Sequence, residues 1–188
     1  RTAIFIPCVT SLVAYSLLFR SMFAEDGFIN NVLMGLHIID DPIPWLMDTF
    51  WAKVVIILAI TWRWTGYNMI FFLSSLQNID EDIYQAAEID GAGAWDKFWK
   101  ITVPLLKPVI LLTAIMSTSG TLQLFDEVVN ITNGGPNNST MTISHYIYNL
   151  SFKYSPDFGY ATAVSFVVFV LIAVLSLLQM KVSGDKND

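Results

Sequence analysis

Residues 78–108 read NIDEDIYQAAEIDGAGAWDKFWKITVPLLKP, and they lie between two long apolar blocks. The stretch is short, charged and rich in Ala and Gly. Asn78 or Asp80 is placed to cap a helix, and Glu81 and Asp82 then fall in its first turn, where carboxylates meet the positive end of the dipole. Ile83, Ala86, Ala87 and Asp90 recur at helical spacing, giving a face that is small in its middle. Gly91 is set to end this helix in the left-handed conformation. A second helix then offers Trp95, Phe98, Trp99 and Thr102 on one face, with Asp96, Lys97 and Lys100 on the other. Pro104 stops it or starts the next element. Two readings stand side by side: a hairpin packed on its own flanking elements, or a surface shaped for a partner.

Working outward, the composition explains the flanks. The chain has 188 residues, 54% hydrophobic and 14% charged, where soluble domains carry roughly 25% charged residues. The apolar residues come in blocks. Residues 2–19, 109–125 and 158–180 hold no charge, and 54–79 hold only Arg63. A helix needs about 20 mainly apolar residues to cross a bilayer. The blocks therefore predict an all-α polytopic bundle with spans near 2–20, 52–76, 105–125 and 158–181, inside a membrane domain of residues 1–182. The tail, 183–188, is polar. The first block begins directly after Arg1, without a charged n-region or cleavage site, which argues against a signal peptide and for a further upstream portion.

Net charge is −6, with acids clustered in 80–96 and at Asp126–Glu127, which excludes a basic nucleic-acid footprint. Cys8 is the only cysteine, and His37 and His145 stand far apart. No disulfide, metal framework or cofactor is expected.

Between the first two blocks, Glu25-Asp26-Gly27 reads as a turn, and Phe28–Ile39 as a short helix with one apolar face, lying in the membrane interface. Pro42 and Pro44 break it, and Trp45 and Trp51 mark the mouth of the second span. Gly134-Gly135-Pro136 is a turn within the polar stretch 130–140, and 141–154 reads as a Tyr-rich helix. With four spans, one side carries Arg1, Lys97, Lys100, Lys107, Lys181 and Lys186, and the other Arg20, Lys53 and Lys153. The positive-inside rule then places residues 78–104 in the cytoplasm.

Polar residues inside spans are the default functional candidates. Arg63, between Trp62 and Trp64, sits roughly 20 Å along a helix from Phe50. Asp126 and Glu127 are its nearest acids by topology, but their expected depth differs, so a partner from another helix or subunit is the structural alternative. Gly66, Tyr67 and Asn68 lie in the next turn, and Thr121 and Gln123 near the end of the third span. Trp, Tyr, Asn and Gln suit a sugar by stacking and hydrogen bonding, and equally well glue helices together.

The run YQAAEIDGAGAWDKFWKITVPLLKP resembles the EAA loop of binding-protein-dependent ABC transporter permeases, in particular the sugar type similar to the maltose and glycerol-phosphate transport subunits. Ala86, Ala87, Asp90, Gly91, Ala92, Phe98, Ile101 and Pro104 fall in register with that pattern. WRWTGYNMIFFLSSLQNI, LQLFDEVVNITNGGPNNST and RTAIFIPCVTSLVAYSLLFR with GFINN resemble other segments of these permeases, so the resemblance covers nearly the whole chain. Gln85 stands where the family usually has the Glu that names the motif, and Asp80 where Pro is common. A salt bridge from position 85 is thereby lost.

The resemblance implies the core of a type I importer permease, completed to six spans by upstream sequence, in the plasma membrane of a prokaryote. Residues 78–104 would be the coupling loop, with Gln85 to Ala87, Asp90 to Ala92, Trp95, Phe98, Ile101 and Pro104 seated in a cleft of a cytoplasmic ATPase pair. A second permease subunit and an extracytoplasmic solute-binding protein would complete the importer. The maltose-type relatives place their sugar near the positions of Trp62–Asn68 and Thr121–Leu124, although Trp62, Thr121 and Leu124 depart from the residues used there. Consistently, no G-x-x-x-x-G-K-[ST] is present, and Gly91-Ala92-Gly93 follows a helix rather than a strand. A secondary transporter or channel is the alternative, but it needs ionisable residues in the spans and only Arg63 qualifies. An intramembrane enzyme would need a Ser/His, paired Asp or H-E-x-x-H arrangement, and no span holds one.

Overall fold

The computed structural model describes residue 6 and residues 10–184, which form helices and no strand. They are α1 (Leu12–Met22), α2 (Phe28–Gly35), α3 (Thr49–Gln77), α4 (Glu81–Ile89), α5 (Ala94–Leu122), α6 (Asp126–Ile131), α7 (Ile143–Tyr148, extended by a π-turn over Asn149–Lys153) and α8 (Phe158–Gly184). Three of them, α3, α5 and α8, are long and apolar enough to cross a membrane. The expected span 2–20 lies partly outside the described residues, as do Arg1, Cys8 and Lys186. Of the expected tail, Ser183 and Gly184 continue α8 and the rest lies outside.

α3 starts where Asp48 caps it, its carboxylate accepting from the amides of Phe50 and Trp51 at 2.9 and 3.0 Å. It leads into α4, and α5 returns alongside α3, with α8 packed against α5. Gly120 sets the closeness of α3 and α5. A methyl group there would fall 2.2 Å from Trp64 Cζ2, so the two helices meet where one lacks a side chain.

α5 departs from the expected boundaries. Neither Pro104 nor Pro108 breaks it: the helix that begins at Ala94 runs unbroken to Leu122, not to Phe125. A π-turn over Phe98–Thr102 ends two residues before Pro104. Widening the helix there makes room for a ring whose residue has no amide to donate.

The buried cluster lies elsewhere, where α1 meets α3 and α6. Tyr15, Phe19, Val55, Ile56, Ala59 and Val128 pack together, and Trp62 leans on the rings of Tyr15 and Phe19. α6 reaches this cluster because the chain turns back at Gln123–Phe125 instead of leaving the bundle.

α2 ends at Gly35, short of the expected Ile39, and His37 takes a positive φ of 54° just beyond it. Its Asn30 is fully buried and uses all its capacity. The amide donates to the carbonyls of Glu25 and Ile43, while Oδ1 accepts from the Ile43 amide and from Trp45 Nε1 at 2.8 Å. Trp45, expected at the mouth of a span, is therefore a buried clamp between α2 and the start of α3.

Candidate functional site

The first candidate is the hairpin of α4 and the start of α5. Asp80 caps α4, accepting from the Asp82 amide at 3.1 Å. At the other end, the Ala92 amide reaches the Ala87 carbonyl and the Gly91 amide the Glu88 carbonyl, at 2.9 and 3.0 Å. That pair of bonds is the Schellman closure, and it requires the φ of +83° that Gly91 adopts. Nothing lies within 4 Å of where a Cβ would stand on Gly91, so the demand for glycine is one of backbone conformation, not space.

α4 is fastened to the base of α5 by two polar contacts. Tyr84 Oη and Thr102 Oγ1 are 2.8 Å apart, and Lys97 donates to Glu88 at 2.5 Å. The Lys97 ammonium holds the Glu88 carboxyl below the ordinary carboxylate range, through the hydrogen bond first and its charge second. Ala87 is buried at this junction. The expected face of Trp95, Phe98, Trp99 and Thr102 is split: the π-turn shifts the register, and Thr102 turns inward while the three aromatics remain outside. Their rings stand 5.1–6.5 Å apart, and Trp95 is 74% exposed. Gln85, Ala86, Asp90, Gly91 and the 87% exposed Ile89 also face outward; Ala92 and Ile101 are half-buried and Pro104 is exposed. The hairpin is thus a stapled unit, continuous with a membrane-length helix, that presents aromatic and aliphatic surface beyond the bundle.

The pathway candidates do not gather into one site. Arg63 forms an ion pair with Glu127, contrary to the depth expected for that acid. The reason is the fold-back of α6, which carries Glu127 down onto α3. Tyr15 stands beside the pair and donates to the Ala59 carbonyl, one turn before Arg63. Trp62 belongs to the aromatic cluster and Leu124 to the buried core, where the Leu124 carbonyl accepts from Thr142 Oγ1 at 2.7 Å. Gly66 is buried on the same α3 stripe as Ala52, Val55 and Ala59.

Asn68 lies on the seam of α3 with α5, and Tyr67 is the residue before it on α3. Asn68 Nδ2 donates to Ser117 Oγ at 3.1 Å, and Tyr67 packs edge-on against Trp64 and Phe71. Thr121 lines a cleft with Ser117, Thr118 and Leu175. Gln123 faces a different cleft of about 290 Å³, with Ser144, Ile147 and Ser165. Sequence reasoning named Glu127 but set it aside on depth, and it missed Tyr15, Ser117 and Gly120. The available signals were a mid-span arginine, which demands a carboxylate, and the small-residue run 117–121, which permits close helix approach.

Beyond the helices, the Gly134-Gly135-Pro136 turn forms as expected, with φ of +93° and +70° at its glycines. It covers His145, which is 1% exposed. Burial, with the Lys153 charge adding, pulls that imidazole below its ordinary value.

An all-helical bundle with a stapled hairpin between membrane-length helices defines a polytopic membrane component. The chain belongs to the family of binding-protein-dependent transport system inner membrane components, which it matches over residues 2–183. It is 61% identical over 189 residues to the lactose transport system permease protein LacF of Rhizobium radiobacter, covering 100% of this chain and 63% of that protein. The arabinooligosaccharides transport system permease protein AraP of Bacillus subtilis is 35% identical over 187 residues, covering 98% of this chain and 59% of the relative. The chain thus spans less than two thirds of the length of these curated relatives. A crystal structure of a bacterial ABC transporter involved in the import of the acidic polysaccharide alginate shares the fold, with a TM-score of 0.87 at 23% identity over 100% of this chain and 65% of that one.

Proposed function

We propose that the chain is part of a permease subunit of an ATP-driven importer of carbohydrate, forming half of the solute path. The observation that carries this reading is the hairpin: α4 is fastened to α5 by Tyr84–Thr102 and Glu88–Lys97, and α5 continues without a break into the membrane. A push on the exposed Ile89, Trp95 and Trp99 surface is transmitted to a whole spanning helix. The partner that pushes is a cytoplasmic ATPase pair, so residues 78–104 lie in the cytoplasm, consistent with the lysine and arginine bias. A second permease subunit supplies the other half of the path, and an extracytoplasmic solute-binding protein delivers the solute. The transport names of the relatives, for lactose and for arabinooligosaccharides, support carbohydrate as the solute class.

Gly91→Trp in the assembled importer tests the coupling. Forcing a side chain onto a residue at φ +83° distorts the α4 terminus while leaving the bundle intact. Uptake is expected to fall at least tenfold while ATP hydrolysis persists. Unchanged uptake removes the docking role. Uptake that survives ATP depletion but collapses with a protonophore favours a secondary transporter instead.

A further inference from the structure

α5 and α8 pack antiparallel. Gln179 Nε2 donates to Thr118 Oγ1 at 2.8 Å, and Leu175, one turn earlier, shares a cleft with Thr121 and Leu122. The end of α8 therefore lies toward the hairpin end of α5. There the two helices leave a larger cleft, of about 600 Å³. Its walls are aliphatic, from Ile110, Leu111 and Ala114 on α5 and Leu175 and Leu178 on α8, and a single charged residue, Lys107, joins them. Gln179 also lines the cleft, but its amide is engaged: Thr118 Oγ1 donates onward to the Ala114 carbonyl at 2.8 Å and accepts from Gln179. Lys107 is half-buried and, among the described residues, has neither an ion pair nor a hydrogen bond. It stands at the boundary of the charge-free run 109–125, as Lys181 does for 158–180. A lysine at such a boundary carries its ammonium to headgroup level while its stem stays among apolar groups.

A half-buried ammonium without a carboxylate beside it calls for an anion from outside the chain. The rest of the cleft calls for an apolar body. A ligand that meets both demands has an anionic head and a flexible apolar chain. An α-helix, about 10–12 Å across, covers a cleft of this volume from outside, whereas an acyl chain enters it. We propose that the cleft between α5 and α8 binds one anionic phospholipid, with the phosphate on Lys107 and an acyl chain against Leu111, Ala114 and Leu178. Basic pockets between spanning helices hold anionic lipid headgroups by this combination. The proposal rests on α5 and α8 lying in a bilayer, and on no choice of solute.

The test reads the lipid beside the cleft in the assembled importer, with Cys8 replaced by Ser. A bimane fluorophore is attached at Leu171→Cys, exposed and one turn from Leu175 on the same face of α8. Phosphatidylcholine nanodiscs then receive a rising fraction of brominated phosphatidylglycerol or of brominated phosphatidylcholine. Half-maximal quenching is expected at about a fivefold lower fraction of the anionic lipid, the scale of one lysine's pull on an anionic headgroup. Lys107→Gln is expected to remove the difference. Lys181→Gln, which alters an exposed cation outside the cleft lining, is expected to change it less than twofold. Ala114→Phe fills the cleft without touching its charge and is expected to remove the difference too; it decides if K107Q fails to assemble. Equal quenching by the two lipids overturns the proposal. So does a preference that survives a cleft variant, or one that falls as far with K181Q as with K107Q. Quenching by neither lipid overturns it as well, and shows that protein, not lipid, covers the cleft. No transport is read, so failure of the importer reading and failure of this site are separate results.

Discussion

The α4–α5 hairpin and the α1–α3–α6 cluster are built on opposite plans. The hairpin keeps its aromatics outside and is held by a few polar contacts at its base: one hydroxyl pair, one ion pair and one Schellman closure. The cluster keeps its aromatics inside and sets beside them an ion pair whose carboxylate, Glu127, is buried and whose Arg63 side chain stays 30% exposed. The difference separates what is held from what is offered. In a membrane, polar groups must be satisfied within the protein, and the cluster does this for Arg63 and Glu127. Apolar rings left outside at a hairpin have no such internal partner, and on the proposed function they are the surface that the ATPase covers.

The contrast is broken most forcefully at the ion pair. Glu127→Leu removes the buried carboxylate from the part-exposed Arg63 and is expected to cost about 2–3 kcal/mol, the scale of a hydrogen bond to a charged group. Adding Arg63→Met is expected to return most of the loss, measured as unfolding temperature in nanodiscs. If the double variant is as unstable as the single one, the cluster depends on more than charge compensation. Gly120→Val follows: it drives a side chain into the Trp64 ring and is expected to cost about 1–3 kcal/mol, the usual range for overpacking, with the α3–α5 seam opening first in cysteine accessibility. Tyr84→Phe removes one hydrogen bond and is expected to cost about 1 kcal/mol. That loss appears as faster amide exchange in α4 with little change in global unfolding, because the hairpin stands outside the core.

The smallest effect is one of pH. His145 binds a proton less readily in the fold than in the unfolded chain. Where the unfolded state binds more protons, stability rises with pH. The 132–145 region is therefore expected to loosen as pH falls below the ordinary imidazole value, about 6.5, and to level off once the buried imidazole is itself protonated. Limited proteolysis between pH 7.5 and 5 reads this, and His145→Gln is expected to flatten it. A protection profile that rises on acidification contradicts the assignment.

The two regions also differ in how far they were legible in the sequence. The hairpin was legible because its determinants are local. Asp80 caps within two residues, and Gly91 closes the helix onto Ala87 and Glu88. What escaped there was the π-turn, since Pro104 announces a helix end and only the widened turn before it allows continuation. The cluster was not legible, because its determinants are distant. Arg63 meets a residue 64 positions away, and Glu127 reads locally as an acid at the end of a span until the chain is seen to turn back at Gln123–Phe125. Asn30 likewise shows its use only once Ile43 and Trp45 arrive beside it. The solute candidates were grouped by polarity along the sequence, and the fold scattered them among a core, a seam and two clefts.

The central claim is that the hairpin and α5 move as one body under the ATPase. The direct measurement is the distance between spin labels at Ile89, at the hairpin tip, and Leu112, exposed on α5, with Cys8 replaced by Ser in the assembled importer. The account predicts one narrow distance distribution, unchanged between the nucleotide-free and ATP-trapped states, while the distance from Ile89 to the same position on the partner hairpin changes. An Ile89–Leu112 distance that itself shifts or broadens on ATP binding would contradict it.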